Sequence, residues 1–383
     1  MKRCICVVIT ARPSYARIRS ALEAIVHHED LELRLVLTAS ALVPDDGALD
    51  RVVETEGFRI DRRIASYDSS AGLGAMVRTT ANGMLGMVGA FEELQPDAVL
   101  TIADRYETMA TAVAAAYMNL PLVHVQGGEV TGSIDEKVRH AITKLADVHL
   151  VASPSAAERV RRMGEDPGRI VVTGCPSIDV ARQALERPDL PADFAQQMGR
   201  GVAIDLAGDF IIVLQHPVTT EYGHAAQQIG ETLRAVRDFD RPTLWFWPNV
   251  DAGADAVSST IRSFRDHHGL PQVRFCRNVP PEDFIRLLHR AQLILGNSSV
   301  GIREAAWMGV PAVNVGSRQL GRDRGANVRD VPHVHEAILA ALKVQANAKR
   351  YPSDPIYGDG HAGERIAQAL ASTPLSFDKR FVD

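Results

Sequence analysis

The chain reads as an α/β protein of two doubly wound, Rossmann-like domains facing each other across a cleft, and three observations predict it. Short apolar runs alternate with helical stretches along nearly all of the 383 residues, the rhythm of parallel sheets covered by helices. The alternation breaks once, at Arg187–Gly208, where Pro188, Pro191, Gly199 and Gly201 mark a linker. Polar, glycine-bearing clusters follow the apolar runs in both halves, at the strand ends where open α/β sheets bind ligands. The expected division is 1–186, 209–360, and a tail 361–383 packing back on the first domain.

In the first half, Arg3–Thr10 reads as a strand and Tyr15–His28 as a helix with Leu22, Ile25 and Val26 on one side. Leu31–Thr38 is a strand, followed by a loop through Pro44, Asp45, Asp46 and Gly47. Gly72–Leu94 is a glycine-bearing apolar helix. Ala98–Ile102 and Leu122–Val125 are buried parallel strands joined by the helix Met109–Met118. A helix from Glu136, the strand Val148–Ala152, a helix after Pro154 and the strand Ile170–Thr173 follow. The second half repeats the pattern with strands at Phe210–Leu214, Thr243–Trp247, Val273–Cys276, Leu293–Gly296 and Val310–Asn314. A helix is expected near Gly301–Met308.

Composition narrows the function classes. Hydrophobic content of 46% and charged content of 23% suit a globular protein, and the net charge of −5 with no basic stripe argues against nucleic acid. No apolar run approaches the roughly 20 residues of a membrane span. MKRCICVVIT fits a first buried strand better than a signal peptide. Four cysteines without metal-like spacing imply reduced thiols and a cytoplasmic location, with Cys4 and Cys6 sharing one core face and Cys175 and Cys276 solitary.

The stretch Thr101–Lys144 concentrates the chemistry. Asp104, Arg105 and Glu107 follow one strand, and Gln126–Glu136 follows the next with Gly127, Gly128, Gly132, Glu129 and Asp135. Glycines let the backbone approach a ligand, and so many carboxylates in one turn region read as an active site. His124 reads as a buried, hydrogen-bonded histidine. Gly296-Asn297-Ser298-Ser299-Val300-Gly301 offers N–H groups and hydroxyls at a helix start, either a phosphate site or a plain N-cap. Glu304, one to two turns into that helix, can reach a ribose hydroxyl. Arg318, Arg322 and Arg324 suit a diphosphate or form a solvated basic loop. His216 stands at a strand end before Pro217, Asn249 and Asp251 stand at the next, and Arg12 sits at a turn that lacks G-x-G-x-x-G spacing, so no dinucleotide is expected. Trp245 and Trp247 read as packing.

Seven blocks in order, Ala103-Asp104-Arg105, His124-x-Gln126-Gly-Gly-Glu129-Val-Thr-Gly-x-Ile134-Asp135-Glu136, Arg139–Lys144, Gly174–Ser177, His216–Thr220, Pro248–Gly253 and Gly296–Ser299, resemble the hydrolysing UDP-N-acetylglucosamine 2-epimerases over roughly Val7 to Val331. The resemblance implies a GT-B fold and conversion of a UDP-linked 2-acetamido sugar into free N-acetylmannosamine-type sugar and UDP, as in sialic acid biosynthesis. The route is anti elimination through a 2-acetamidoglucal and then hydration, with no metal and no cofactor. It implies catalytic roles for Asp104, Glu129, Asp135 and His216, and substrate contacts from Arg12, Arg105, Gln126, Arg139, Asn249, Ser298, Ser299, Glu304 and Arg318. It also implies a homodimer or homotetramer, for which the Gly72–Gly89 helix is a candidate surface.

Two positions depart from the family pattern. Many relatives carry glutamate at Gln126 and histidine at Ala41, and a glutamine side chain exchanges no proton at neutral pH. Either Asp104, Glu129 and Asp135 carry the proton transfers, or the substrate is a variant such as a UDP- or GDP-linked 2,4-diacetamido-6-deoxy sugar of the legionaminic acid route. A GT-B glycosyltransferase, a nucleotide-sugar binding module and a non-hydrolysing epimerase are the rival readings.

Overall fold

The computed structural model describes residues 2–43, 49–70, 73–102, 105–132, 134–190, 194, 198–248, 253–277 and 279–383. The chain divides into two compact units. Unit 1 comprises Met1–Glu129, Ile134–Asp179 and Gly358–Asp383; unit 2 comprises Val130–Ser133 and Val180–Tyr357.

Unit 1 is built on an all-parallel seven-stranded sheet of order β3-β2-β1-β4-β5-β6-β7. The strands are β1 Arg3–Ile9, β2 Leu31–Thr38, β3 Arg62–Ile64, β4 Ala98–Ile102, β5 Leu122–Val125, β6 Val148–Val151 and β7 Ile170–Val172. Its helices are α1 Arg12–His27, α2 Leu49–Thr55, α3 Leu73–Leu94, α4 Thr108–Tyr117, α5 Asp135–Leu145, α6 Pro154–Arg162 and α7 Pro176–Glu186, the last running on into unit 2. Alternation along β1 explains the continuous apolar run that announced it. Ile5, Val7 and Ile9 pack with Ile18, Leu22 and Ile25 of α1, while Cys6 and Val8 pack on the other face with Met87 and Phe91 of α3. Cys4 is only half-buried, because it opens the strand at the sheet rim, where its N–H donates to Asp97 Oδ2.

The chain's last helix in sequence, Ala362–Ser372, joins this core through Ile366 and Leu370. Asp179 fixes its start, accepting hydrogen bonds from the Ala362 and Gly363 N–H groups (2.9 and 2.6 Å) and the Ser20 hydroxyl (2.9 Å). Beyond it the chain crosses unit 1 again. Lys379 reaches the Thr143 and Ala146 carbonyls at the end of α5 and the buried carboxylate of Glu165, which also holds Lys144 (2.6 Å) and His149 (2.9 Å).

Unit 2 carries a second seven-stranded sheet, of order β14-β13-β12-β9-β10-β11-β8. Its strands are β8 Arg200–Gly201, β9 Ile211–Leu214, β10 Thr243–Phe246, β11 Val273–Cys276, β12 Leu293–Gly296, β13 Ala312–Val315 and β14 Val328–Val331; only β8 is antiparallel. The helices are α8 Ala225–Phe239, α9 Ala254–His268, α10 Pro281–Arg290, α11 Glu304–Trp307 and α12 His335–Ala346, so that Ala362–Ser372 is α13.

The structure corrects two local expectations. The stretch Arg187–Gly208 is no bare linker: Phe194, Met198 and Ile204 enter the unit 2 core, and Arg274 ties its Met198, Gly201 and Val202 carbonyls down. In place of a helix over Gly301–Met308 there is a 3₁₀ turn, Ser299–Gly301, and then the single turn of α11. Glycine and β-branched residues there weaken the helical start. The loop through Pro44–Gly47 lies outside the described residues. No helix among the described residues is long and apolar enough to cross a membrane.

Candidate active site

In unit 1 the strand order reverses between β1 and β4, which places the crevice at the carboxyl ends of those strands. Arg12 follows β1 and opens α1, half-buried, with no hydrogen-bond partner among the described residues. Ala103 and Asp104, after β4, lie outside the described residues, so the proposed role of Asp104 has no geometry here. Arg105 is present beside them, its Nε donating to Oε1 of buried Glu107 at 2.7 Å. Burial, then the charge of Glu107, pushes the Tyr106 phenol up to about 12 and keeps it neutral.

After β5 the backbone turns through Gln126 (φ 67°) and Gly128 (φ 74°). A side chain at Gly128 would put its Cβ 2.3 Å from the Ala156 carbonyl, so only glycine fits. Gln126 is buried; its Nε2 donates to Cys175 Sγ at 2.8 Å, and its Oε1 has no partner among the described residues. Cys175 in turn lies 3.0 Å from the Ser177 hydroxyl, so the thiol read as solitary belongs to this cluster.

Arg139, fully buried on α5, anchors the acidic loop. Its Nη1 donates to the Glu129 carbonyl at 2.9 Å and to Glu136 Oε2 at 3.0 Å. Glu129 is buried, and Asp135 lies half-buried in the first turn of α5, where the positive helix end favours a carboxylate. Arg139 thus ties Glu129 to Glu136, next to Asp135 in the chain. His124 is the buried histidine expected, its Nδ1 3.2 Å from the Thr143 hydroxyl. Ala41 is buried, its N–H donating to the Thr10 carbonyl.

In unit 2 the reversal falls between β12 and β9. Gly296 (φ 140°) lets the two strands close: a Cβ there would sit 2.1 Å from the Leu214 carbonyl. The next residue, Asn297, clamps the neighbouring strand end. Its Oδ1 accepts from the His216 N–H at 2.7 Å and its Nδ2 donates to the His216 carbonyl at 2.8 Å. The Asn297 carbonyl accepts from Arg318 Nη1 (3.2 Å) and Gln319 Nε2 (2.9 Å). His216, Asn297 and Arg318 are therefore one constellation, with Ser298 and buried Ser299 next along the chain.

The Ser298 hydroxyl accepts from the Val300 N–H at 3.4 Å, a cap of the 3₁₀ turn rather than of a long helix. Glu304 opens α11 instead of lying within it; it is buried, and its Oε2 has no partner among the described residues. Of the arginines that a solvated loop would have exposed, Arg322 is buried and Arg324 pairs with Asp330 at 2.8 Å. Trp245 is buried and Trp247 half-buried against Phe275. Asn249 and Asp251 lie outside the described residues. Gly132, grouped with this unit, donates its N–H to the Arg318 carbonyl at 3.2 Å.

Sequence reasoning missed the clamp made by Asn297, the Gln126–Cys175 contact and buried Arg303, which lies 5.5 Å from the Tyr357 ring. A glycine directly before an asparagine at a strand end was the only signal for the first; the others join residues far apart in the chain.

Known proteins bear on this arrangement. Residues 23–371 match the family model described as UDP-N-acetylglucosamine 2-epimerase. A Legionella pneumophila protein, UDP-N,N'-diacetylbacillosamine 2-epimerase (hydrolyzing), is 33% identical over 98% of this chain and 97% of its own. A Neisseria meningitidis UDP-N-acetylglucosamine 2-epimerase is 28% identical over 100% and 99%. Among solved structures, the Neisseria meningitidis UDP-GlcNAc 2-epimerase bound to UDP-GlcNAc aligns with a TM-score of 0.80 at 18% identity over 96% and 99% of the two chains. The Methanocaldococcus jannaschii enzyme in complex with UDP-GlcNAc and UDP gives 0.79 at 16% identity over 97% and 99%. These neighbours share the two-unit α/β architecture of the GT-B class. With the family model spanning residues 23–371, nearly the whole chain, this protein belongs to the UDP-N-acetylglucosamine 2-epimerase family.

Proposed function

We propose that the protein is a hydrolysing 2-epimerase, releasing a free 2-acetamido sugar of inverted C2 configuration and UDP from a UDP-linked 2-acetamido sugar. The observation that carries this reading is the Arg139-anchored loop with Glu129 and Asp135. Proton transfer at carbon needs positioned carboxylates, and a buried guanidinium holding the loop backbone supplies the positioning.

A carboxylate among Asp104, Glu129 and Asp135 removes the C2 proton. The C2–H electrons become the C1=C2 bond as the C1–O bond breaks, and UDP leaves with that bonding pair. Water then adds across the 2-acetamidoglucal, its hydroxyl to C1 and a proton to C2 from the opposite face. Arg12, His216, Ser298, Ser299 and Arg318 receive the diphosphate charge, Glu304 a ribose hydroxyl, and Arg105, Gln126, Arg139 and Asn249 the sugar. Gln126 serves as a hydrogen-bonding group, because its amide cannot exchange a proton.

The test is NMR of the protein with UDP-N-acetylglucosamine in deuterium oxide. Free N-acetylmannosamine deuterated at C2, appearing together with UDP, is the expected result; an epimer still attached to UDP would overturn the hydrolytic assignment. Glu129→Gln and Asp135→Asn should each lower kcat by about 10²- to 10⁴-fold with the fold intact. A second substrate, a UDP-linked 2,4-diacetamido-6-deoxy sugar, is favoured by the Legionella pneumophila relative. The ratio of kcat/KM for the two sugars decides between them.

A further inference from the structure

The loop Gln126–Glu129 is seated on side chains and backbone of its own unit. A Cβ on Gly127 would lie 2.9 Å from His124 Nδ1 and 3.0 Å from the Thr143 hydroxyl. One on Gly128 would meet Val160 Cγ2 at 2.7 Å as well as the Ala156 carbonyl, so the second glycine lies directly against α6. Ala156, Arg159 and Val160 are spaced three and four residues apart and share one face of that helix. Ser153 fixes its start, the hydroxyl accepting from the Ala156 N–H at 3.2 Å. From the same face half-buried Arg159 donates its Nη1 to the Gly128 carbonyl at 3.2 Å. Arg161, two residues on, is exposed and pairs with Glu158 at 2.7 Å.

These contacts bear on the aim of one carboxylate. A trans peptide is a rigid plane, so the backbone freedom at Glu129 reduces to two rotations. Its φ turns the plane that carries the Gly128 carbonyl, and its ψ turns the plane that carries its own carbonyl. Arg159 holds the first plane, and Arg139 holds the second at 2.9 Å. With both planes held, the Cα–Cβ direction of Glu129 is set, and its buried side chain leaves the backbone one way. The first plane needs the anchor more, because it follows Gly128 at φ 74° and glycine is the most permissive residue. Hydrogen bonds from a charged guanidinium are about twice as strong as neutral ones, which suits both donors to this task.

We propose that Arg159 is a positioning residue for the epimerisation, aiming Glu129 through the Gly128 carbonyl as the counterpart of Arg139. The proposal rests on the reading of Glu129 as one of the carboxylates that move the proton. A reacting group displaced by about 1 Å can lose about 10²-fold in rate, so a swinging Gly128–Glu129 plane is costly to turnover while leaving the fold and the diphosphate contacts alone.

Arg159→Met keeps the length of the stem and removes the donor. It should lower kcat by about 10- to 10²-fold, with KM, UDP affinity by calorimetry and circular dichroism unchanged. Arg159→Lys, which keeps a charge and a donor, should recover part of that loss. Arg161→Met, on the outer side of the same helix, should match the wild type. Deuterium uptake read by mass spectrometry should quicken over Gly127–Glu129 in Arg159→Met and not in Arg161→Met. This second arm stands without turnover: a wild type that converts neither sugar fails the proposed reaction, and the exchange alone then decides whether Arg159 holds the loop. Should Arg159→Met fail to fold, Arg159→Gln carries the same two readouts. An unchanged kcat, a loss confined to KM or UDP affinity, or exchange no faster than in the wild type would overturn the proposal.

Discussion

Asn297 shows how one side chain organises half a site. Both ends of its amide are spent on the His216 backbone, and its own carbonyl receives Arg318 and Gln319. Asn297→Ala leaves the buried His216 N–H and carbonyl without those partners, at about 1–3 kcal/mol for an abandoned buried group. The expected outcome is a lower denaturant midpoint and weaker UDP binding by calorimetry. Asn297→Asp keeps an acceptor for the His216 N–H but no donor for its carbonyl, so it should fall between the two. Unchanged UDP affinity in both would detach this clamp from nucleotide binding. The carboxylates Glu129 and Asp135 were legible in the sequence because several acids in one glycine-bearing turn are conspicuous. The clamp was not, because asparagine is common in loops and its partner stands 81 residues away.

At the scale of elements, strands announced themselves through runs buried on both faces, as β1 does between α1 and α3. Half-buried or exposed edge strands such as β3, β8 and β14 did not, since they lack a continuous apolar run. Gly296→Ala should be severe at this scale: the φ of 140° and the 2.1 Å approach to Leu214 together disallow a Cβ. A loss of more than about 3 kcal/mol, or failure to accumulate folded protein, is expected; a variant as stable as the parent would refute the close approach of β12 and β9. The same reasoning explains why this glycine was readable only as part of a phosphate-binding pattern. Its steric necessity appears only once two strands are side by side.

At the scale of the whole molecule, one long-range connection in unit 1 is electrostatic and sets a pH response. The C-terminal segment brings Lys379 to Glu165, already bonded to His149 and Lys144. Burial opposes the Glu165 charge, but the hydrogen bonds from His149, Lys144 and Lys379 outweigh it and hold the carboxyl at about 2, against 4.5 when unfolded. Its stabilisation is therefore complete above about pH 4.5 and is lost as pH falls towards about 2. Burial holds His149 below its ordinary 6.5, so the unfolded chain takes up that proton first and stability begins to fall below pH 6.5. Both groups act in the same direction, and the denaturant midpoint should fall in two stages on acidification. Glu165→Gln should remove most of the stage between pH 4.5 and 2 and cost about 1–3 kcal/mol at neutral pH, because it takes the charged acceptor from half-buried Lys379 and buried His149. A Glu165→Gln profile parallel to the wild type throughout would show that the cluster does not govern acid stability. None of this was readable beforehand, since Lys379 and Glu165 are 214 residues apart and neither lies in a motif.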